Sequence, residues 1–171
     1  GKKLISLFGK EADGREEKTP IYEIVRQKFG ISNDFELITI VYDKLQMKRD
    51  KIAALALILY EAAIDGDQKA IAIYQEAAYE YSLIVKALLN KLQFMPEKEV
   101  SVSYSGGVFK AGEFILKPLK EFLSKERVKF NQPILQPVTG AALYALFLER
   151  EKIDDAVLKK LKTEEERVLR L

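Results

Sequence analysis

The chain has 171 residues and contains neither cysteine nor histidine. Disulfides, thiolate nucleophiles, imidazole catalysis and the usual zinc sites are therefore excluded within it, so its chemistry must use carboxylates, lysines, hydroxyls or the backbone. Its 28 basic and 26 acidic residues are interspersed and give a net charge of +2, which favours neither nucleic acid nor a membrane surface as a partner. The longest apolar run, Ile52 to Tyr60, is far shorter than the roughly 20 residues that cross a bilayer.

Helical spacing of apolar residues predicts four helices in the first part of the chain. They run from Leu4 to Ala12, Ile21 to Phe29, Phe35 to Leu45 and Ile52 to Ile64. Thr19 is expected to cap the second helix, with Pro20 at its first position and Gly30 at its end. Asn33 or Asp34 is expected to cap the third. The fourth is so apolar that we expect it to be buried on most sides.

A minimal turn joins the fourth predicted helix to a long fifth one. Gly66 suits the end of a helix and Asp67 the start of the next, so the two helices must pack against each other. Asp65 and Asp67 also suggest a metal site, but loop solvation and capping explain both carboxylates, and we reject that interpretation. The fifth helix carries an apolar stripe that we assign to the core: Ala70, Tyr74, Ala77, Ala78, Tyr81, Ile84 or Val85, Leu88 and Leu92.

A strand, a glycine turn and a helix follow. Residues Val100 to Tyr104 alternate as in a strand, and a helical apolar run extends from Phe114 to Phe122. Between them, adjacent glycines let the backbone take positive φ and leave no side chain between the turn and a ligand, while the helix start offers free N–H groups to an anion. Most Gly-Gly turns only reverse the chain. This one is nevertheless the best candidate for a nucleotide site: Ser105, Gly106, Gly107, Val108, Phe109 and Lys110.

The last part of the chain predicts one more strand and two helices. A strand from Arg127 to Phe130 should pair in parallel with the strand from Glu99 to Ser105, because a helix from Ala111 to Ser124 connects them in a right-handed βαβ unit. In the segment Pro133 to Leu146, Thr139 can cap a helix that begins with Gly140, Ala141 and Ala142. That nearly bare helix face allows another helix to cross closely, and on these residues alone ordinary helix packing within one core is the preferred interpretation.

Beyond Arg150 the charge pattern changes. Lysines and glutamates alternate around a few apolar residues and predict a solvated amphipathic helix that lies on the domain or on another subunit. We therefore divide the chain into residues 1–150, one lobe, and residues 151–171, a terminal helix whose apolar positions are Val157, Leu161, Val168 and Leu171.

The order of these motifs resembles the C-terminal half of the sugar kinase, actin and heat-shock chaperone ATPase superfamily. In that superfamily the Gly-Gly turn is the adenosine motif, and the Gly-Ala-Ala helix is one of two helices that cross between lobes. The stretch Ala62 to Ala70 is similar to the Ala-Ala-x-x-Gly-Asp-x-x-Ala signature of N-acetylglucosamine kinase-like proteins and BadF/BadG/BcrA/BcrD-type ATPases. Asp13-Gly14-Arg15 and Thr19 are similar to the segment after that family's last phosphate-binding loop.

This resemblance implies an α-rich α/β fold. The chain would form the C-terminal part of a ribonuclease-H-like ATPase lobe, with about seven or eight helices and a small parallel βαβ unit. The three other strands of the sheet, the phosphate loops, the catalytic carboxylate and most of the sugar pocket would precede residue 1. We therefore expect the chain to be part of a longer cytoplasmic enzyme, inactive alone, and its open sheet edge to favour a homo-oligomer.

The function implied by the resemblance is ATP-dependent phosphorylation of an amino sugar such as N-acetylglucosamine, with Mg as the metal. The backbone of Gly106, Gly107 and Val108 would hold the adenosine and its nearest phosphate, with Phe109 and Lys110 flanking. No catalytic residue or metal ligand can be assigned within the chain. One alternative from the same family is an ATP-driven activator of 2-hydroxyacyl-CoA dehydratase or benzoyl-CoA reductase, but such proteins hold an iron–sulfur cluster through cysteines, which this chain lacks. Another alternative is a non-catalytic helical interaction module.

Overall fold

A computed structural model describes residues 1–94, 98–150 and 152–168. The described residues are rich in helix and include a two-stranded parallel sheet, as the sequence predicts. They form two compact units. The first comprises residues 1–93 and 110–126, and the second residues 94–109 and 127–171. None of the described helices is both long and apolar enough to pass through a membrane.

The first unit begins with two amphipathic helices, α1 (Lys2–Ala12) and α2 (Pro20–Phe29). Their apolar faces meet in the core, where the rings of Phe8 and Tyr22 stack 5.2 Å apart. Gly30 ends α2 in the left-handed conformation, with φ of +62°, as predicted. Thr19 is the N-cap residue and Pro20 the first residue of α2, as predicted, but the Thr19 side chain makes no cap hydrogen bond and instead donates to Glu11.

The third predicted helix is present but irregular. Helix α3 spans only Glu36–Thr39 and passes directly into a π-helical turn, Ile40–Lys44, closed by a hydrogen bond from Leu45 N–H to the Ile40 carbonyl. The expected cap by Asn33 or Asp34 is wrong, because the N-cap residue of α3 is Phe35 and no side chain caps the helix. The Asn33 side chain instead accepts a hydrogen bond from the Phe35 N–H at 2.9 Å, in the turn before the helix. The π-helical turn is wider than an α-helical turn and ends the helix. The spacing of apolar residues does not reveal this change of helix type.

The fourth predicted helix is two helices, α4 (Arg49–Ala54) and α5 (Ala56–Ile64). They are separated at Leu55, where hydrogen bonds from Leu55 N–H to Ile52 and from Ile58 N–H to Leu55 tighten the chain to i→i+3 spacing. The expectation of burial on most sides is only partly correct. Ile52, Leu55 and Leu59 are buried, whereas Leu57 is exposed.

The long helix α6 (Gln68–Leu92) packs against α7 (Glu113–Phe122). Aromatic pairs mark the contact, with ring centroids 6.1 Å apart for Tyr74 and Phe114 and 5.4 Å for Tyr79 and Phe122. The predicted stripe on α6 is buried at Ala70, Tyr74 and Ala78 but exposed at its C-terminal end, including Leu88 and Leu92. Assigning the whole stripe to the core was therefore wrong for its last two turns.

The second unit contains the sheet. Strands β1 (Val100–Ser103) and β2 (Val128–Asn131) are parallel, with Val100 opposite Val128 and Ser103 opposite Asn131. The predicted parallel pairing is thus confirmed, with β1 shorter than expected and β2 displaced by one residue along the chain.

Two helices follow the sheet in the second unit, α8 (Pro137–Arg150) and α9 (Asp155–Val168). They contact each other, and the Gln136 N–H donates to the Glu165 carboxylate at 2.9 and 3.0 Å. Helix α9 confirms the predicted terminal helix over these residues, and the predicted apolar position Leu171 lies outside the described residues. Thr139 does not cap α8, because the helix already begins at Pro137 and Thr139 lies within its first turn.

Candidate nucleotide-binding site

The Gly-Gly turn lies directly after β1. Tyr104 and Ser105 lead out of the strand, and a 3₁₀ helix, Gly107–Ala111, follows. The Phe109 N–H donates to the Gly106 carbonyl at 3.2 Å and closes the turn. The rings of Tyr104 and Phe109 lie 5.0 Å apart and support it from within the second unit. The sequence thus positions the glycines by a strand on one side and a short helix on the other.

The geometry refines the reason for the two glycines. Only Gly106 has positive φ, at +117°, so only this glycine is required by the backbone itself. Gly107 has an ordinary φ and begins the 3₁₀ helix. The first N–H groups of such a helix have no acceptor within the helix, so those of Gly107 and Val108 can bind an anion. The α-helix expected directly after the turn starts later, at Glu113.

The turn leaves space for a ligand. A Cβ atom added at Gly106 or Gly107 would have no heavy atom of the described chain within 4 Å, and Ser105, Gly106 and Gly107 are exposed. This open backbone fits the close approach of a nucleotide. Lys110 is also exposed, and it is the residue at which the chain enters the first unit. The assignment of Ser105 to Lys110 to a nucleotide stays a prediction.

The predicted interlobe residues lie in the first turns of α8. Gly140 is half-buried, and Ala141 and Ala142 are exposed. A Cβ atom at Gly140 would have no neighbour within 4 Å among the described residues. Among the described residues of the second unit, therefore, no helix crosses α8 closely at this point, and the role in lobe contact stays a prediction.

Asp67 forms a hydrogen-bonding centre in the first unit. Its Oδ1 accepts from the N–H groups of Lys69 and Ala70, each at 2.9 Å, so it caps α6 as predicted. Its Oδ2 accepts from the N–H of Ile21 at the start of α2, at 3.0 Å. Burial alone would raise the pKa of Asp67, but the neighbouring Thr19 side chain and the hydrogen bonds from these three N–H groups hold it below its usual value.

A second buried carboxylate, Glu11, lies nearby and was missed by the sequence reasoning. Its Oε1 accepts from the Thr19 hydroxyl at 2.9 Å and pairs with Lys69 Nζ at 3.4 Å. Lys69 also donates to the Glu17 backbone carbonyl at 2.5 Å and pairs with Glu16 at 3.4 Å. Burial lowers the pKa of Lys69, but the carboxylates of Glu11 and Glu16 outweigh that effect and raise it. Glu11 follows Leu4, Leu7 and Phe8 at helical spacing, so its position on an apolar face was a usable signal.

These contacts fix the loop between α1 and α2 from both sides. Arg15 at its tip pairs with Asp13, with Nη2 2.7 Å from Oδ2. Metal ligands are a separate question. The described residues include no group of three or more carboxylates that could hold a metal ion. We therefore assign no magnesium ligand to them.

Comparison with known proteins places the chain in a family. The sequence profile of the BadF/BadG/BcrA/BcrD ATPase family matches residues 1–145. The chain belongs to this family. The match runs through α1 to α7, both strands and the first half of α8, and so includes the Gly-Gly turn and the Asp67 centre.

Two similar relatives are named as kinases. The chain is 29% identical over 154 residues to N-acetylmuramic acid/N-acetylglucosamine kinase of Clostridium acetobutylicum, a match that covers 90% of this chain and 49% of that protein. It is 27% identical over 135 residues to N-acetyl-D-glucosamine kinase of Dictyostelium discoideum, covering 75% of this chain and 41% of that protein. The chain thus spans about half the length of the curated relatives it matches.

Proposed function

We propose that this chain is the nucleotide-binding C-terminal part of an ATP-dependent sugar kinase. In the longer protein, a phosphoryl group would pass from ATP to a hydroxyl of an amino sugar of the N-acetylglucosamine type. The strand pair would belong to a ribonuclease-H-like ATPase lobe. The observation that carries the proposal is the open turn at Gly106 and Gly107, within a chain of an ATPase family.

The backbone of the turn would do the binding. ATP supplies the transferable phosphoryl group, and Mg neutralises the charge that develops on it. The N–H groups of Gly107 and Val108 would face the adenosine and its nearest phosphate, because glycine at 107 leaves the approach free of side-chain atoms. Phe109 and Lys110 would flank the nucleotide. Gly106 would keep the turn in the backbone conformation that only glycine adopts readily.

The choice of sugar rests on the two relatives. Both are named for N-acetylglucosamine, and one also for N-acetylmuramic acid. The described residues supply no catalytic base in this proposal. We therefore extend only the substrate class to this chain, an N-acetylated amino sugar.

The direct test is an assay of the longer protein that contains this chain. We expect ADP release in the presence of ATP and Mg to depend on an N-acetylated amino sugar, and to be much slower with glucose. ATP turnover that is indifferent to sugar would instead favour the ATP-driven activator of an acyl-CoA enzyme. Absence of nucleotide binding would favour a non-catalytic interaction module.

The Gly-Gly turn is tested separately by Gly107→Val in the same protein. Gly107 has ordinary φ and free space around it, so the fold should tolerate valine, whereas the side chain would obstruct a nucleotide at the turn. We expect the Kd for a non-hydrolysable ATP analogue to rise at least about tenfold, equivalent to about 1.4 kcal/mol, with little change in Tm.

A matched control is Gly9→Val on α1, where an added Cβ also has no neighbour within 4 Å. This control should leave the Kd for the analogue unchanged. Equal affinities for wild type and Gly107→Val would remove the turn from the nucleotide site.

A further inference from the structure

The first unit contains a groove that the Gly-Gly turn does not use. Its floor is a face of α1, and its wall is the segment 33–47, which includes α3 and the π-helical turn. The groove has a volume of about 610 Å³, within the range of small-molecule sites. Helix α1, with 11 residues, is about 16 Å long, so the groove offers an elongated surface.

The floor and the walls of the groove differ in side-chain size. Ser6, Gly9 and Ala12 follow each other along α1 and leave the floor bare. Large apolar side chains stand along the opposite wall and are exposed, with Phe35 at 77% and Tyr42 at 62%. Apolar side chains of this size, grouped beside an open trough, are typical of a binding surface.

The backbone of the wall is strained where it meets the groove. Gln46 and Met47 are both in the left-handed conformation, with φ of +50° and +51°, which non-glycine residues rarely adopt. They follow the π-helical turn Ile40–Lys44 after one intervening residue, Leu45, and Met47 lines the groove. Strained backbone and π-helical turns both cluster at functional sites in proteins.

One end of the groove is cationic. A neighbouring cavity of about 500 Å³ shares Lys2, Ile5 and Met47 with the groove and adds Arg49. Both Lys2 and Arg49 are exposed, and neither has an ion pair or hydrogen bond of its side chain within the described residues. Two unpaired cations at one end of an apolar trough attract an anionic group there.

The opposite end carries no comparable free charge. Asp13 is paired with Arg15, and Asp34 is paired with Arg26 and accepts a hydrogen bond from Tyr22. Each of these carboxylates is therefore already neutralised, and they offer little attraction for a cation. The asymmetry selects a ligand with an apolar body and one anionic end.

We propose that the groove between α1 and segment 33–47 binds an amphipathic organic anion. Its apolar body, an alkyl or aryl group, would lie on Ser6, Gly9 and Ala12. Its carboxylate or phosphate would lie between Lys2 and Arg49. This proposal goes beyond the sugar kinase function proposed above, because none of the residues from Ser105 to Lys110 lines the groove.

The probes are decanoate, decyl phosphate and decanol, each titrated calorimetrically into the 171-residue chain below its aggregation concentration. Decanoate and decyl phosphate should bind saturably with one molecule per chain. Decanol, which shares the apolar body but has no charge, should bind at least tenfold more weakly. Inorganic phosphate should not compete, whereas competition by phosphate alone would show that only the cationic end binds and would overturn the proposal.

Three variants locate the ligand. Gly9→Leu fills the floor, and since a Cβ there meets no atom within 4 Å and leucine favours helix more than glycine does, the variant should fold. It should abolish binding of all three probes. Lys2→Gln with Arg49→Gln should weaken decanoate at least tenfold and leave decanol unchanged. Lys48→Gln removes a neighbouring exposed charge outside the groove and should change nothing.

Two results would overturn the proposal. One is the absence of decanoate binding to wild type, or decanoate binding that persists in a folded Gly9→Leu variant. The other is a dimeric wild type that Gly9→Leu converts to a monomer in sedimentation, because a second copy of the chain would then occupy the groove.

Discussion

At the scale of single residues, Asp67 shows how one side chain can set the arrangement of two helices. Its two carboxylate oxygens serve different elements, Oδ1 the start of α6 and Oδ2 the start of α2. The residue is buried, so water cannot replace these hydrogen bonds if the carboxylate is removed. The neighbouring Asp65 lies at the end of α5 and is exposed. The pair therefore offers a matched comparison.

We predict that Asp67→Ala strongly destabilises the chain. Loss of the α6 cap and of the acceptor for the buried Ile21 N–H should together lower the free energy of unfolding by about 2 to 4 kcal/mol. Asp65→Ala should change it by less than about 0.5 kcal/mol, as for other exposed positions. Urea unfolding monitored by circular dichroism measures both. Similar losses for the two variants would show that Asp67 does not join α2 to α6.

The lowered pKa of Asp67 predicts a dependence of stability on pH. Because this pKa is lower in the folded than in the unfolded chain, the carboxylate contributes fully above the unfolded value of about 3.9, and the contribution is lost as pH falls through the folded pKa. Between about pH 5 and pH 3, wild type should therefore lose more stability than Asp67→Asn, which cannot titrate. Parallel curves of unfolding free energy against pH would contradict this sign.

The sequence predicts local interactions of residues well and distant ones poorly. The cap at Asp67 and the helix end at Gly30 follow from residue type and position within a few residues. The pair of Glu11 and Lys69 joins positions 58 apart, and nothing local indicates that partner. For the same reason the sequence could not show that the Thr19 hydroxyl would bind Glu11 rather than the first N–H groups of α2.

At the scale of elements, the correct predictions came from strong boundary signals. Glycine and aspartate at 66 and 67 separate α5 from α6, and alternation followed by glycines marks β1. The break at Leu55 and the π-helical turn at Ile40 contain no glycine or proline, so no boundary residue marks them in the sequence. The exposed C-terminal end of the apolar stripe on α6 is a similar case. The spacing of apolar residues predicts an apolar helix face, but it does not show which other element covers that face.

Helix α8 gives a prediction at this scale. Within the 171-residue chain Gly140 has free space, so Gly140→Leu should raise the free energy of unfolding slightly, by up to about 1 kcal/mol, because leucine favours helix. In the longer protein the same change should cost about 1 to 3 kcal/mol if a second helix crosses there. Thermal unfolding of the 171-residue chain and of the longer protein, each with and without the substitution, measures both changes in stability. An equal gain in both would show that no helix crosses α8 at this glycine.

At the scale of the whole chain, the two compact units share one family match. The units are defined by contacts and are not continuous in sequence. Residues 110–126 lie between β1 and β2 in the chain but belong to the first unit, whereas both strands belong to the second. Helix α9 also belongs to the second unit. The sequence division at Arg150 stays a prediction. Sequence order could not reveal the contact units, because each is assembled from two separate stretches of chain.

The sheet of the second unit leaves one edge of β1 without a strand partner among the described residues. The Val100 N–H donates to the Arg127 carbonyl at 2.9 Å, so the backbone of Val100 and Val102 faces β2. By alternation, the N–H and C=O groups of Ser101 and Ser103 point to the other side. The strand carries no charged residue or proline, which are the usual means of keeping an edge from pairing.

We therefore predict that the 171-residue chain self-associates through β1. Sedimentation equilibrium should show concentration-dependent dimers or larger species. Ser103→Lys places a charge on the edge and should shift the chain toward monomer, because an edge lysine opposes strand pairing. Ser124→Lys adds the same charge in the first unit and should leave association unchanged. A monodisperse wild-type monomer, with slow exchange of the Ser101 and Ser103 amides, would contradict the prediction, since the chain would then protect this edge by itself.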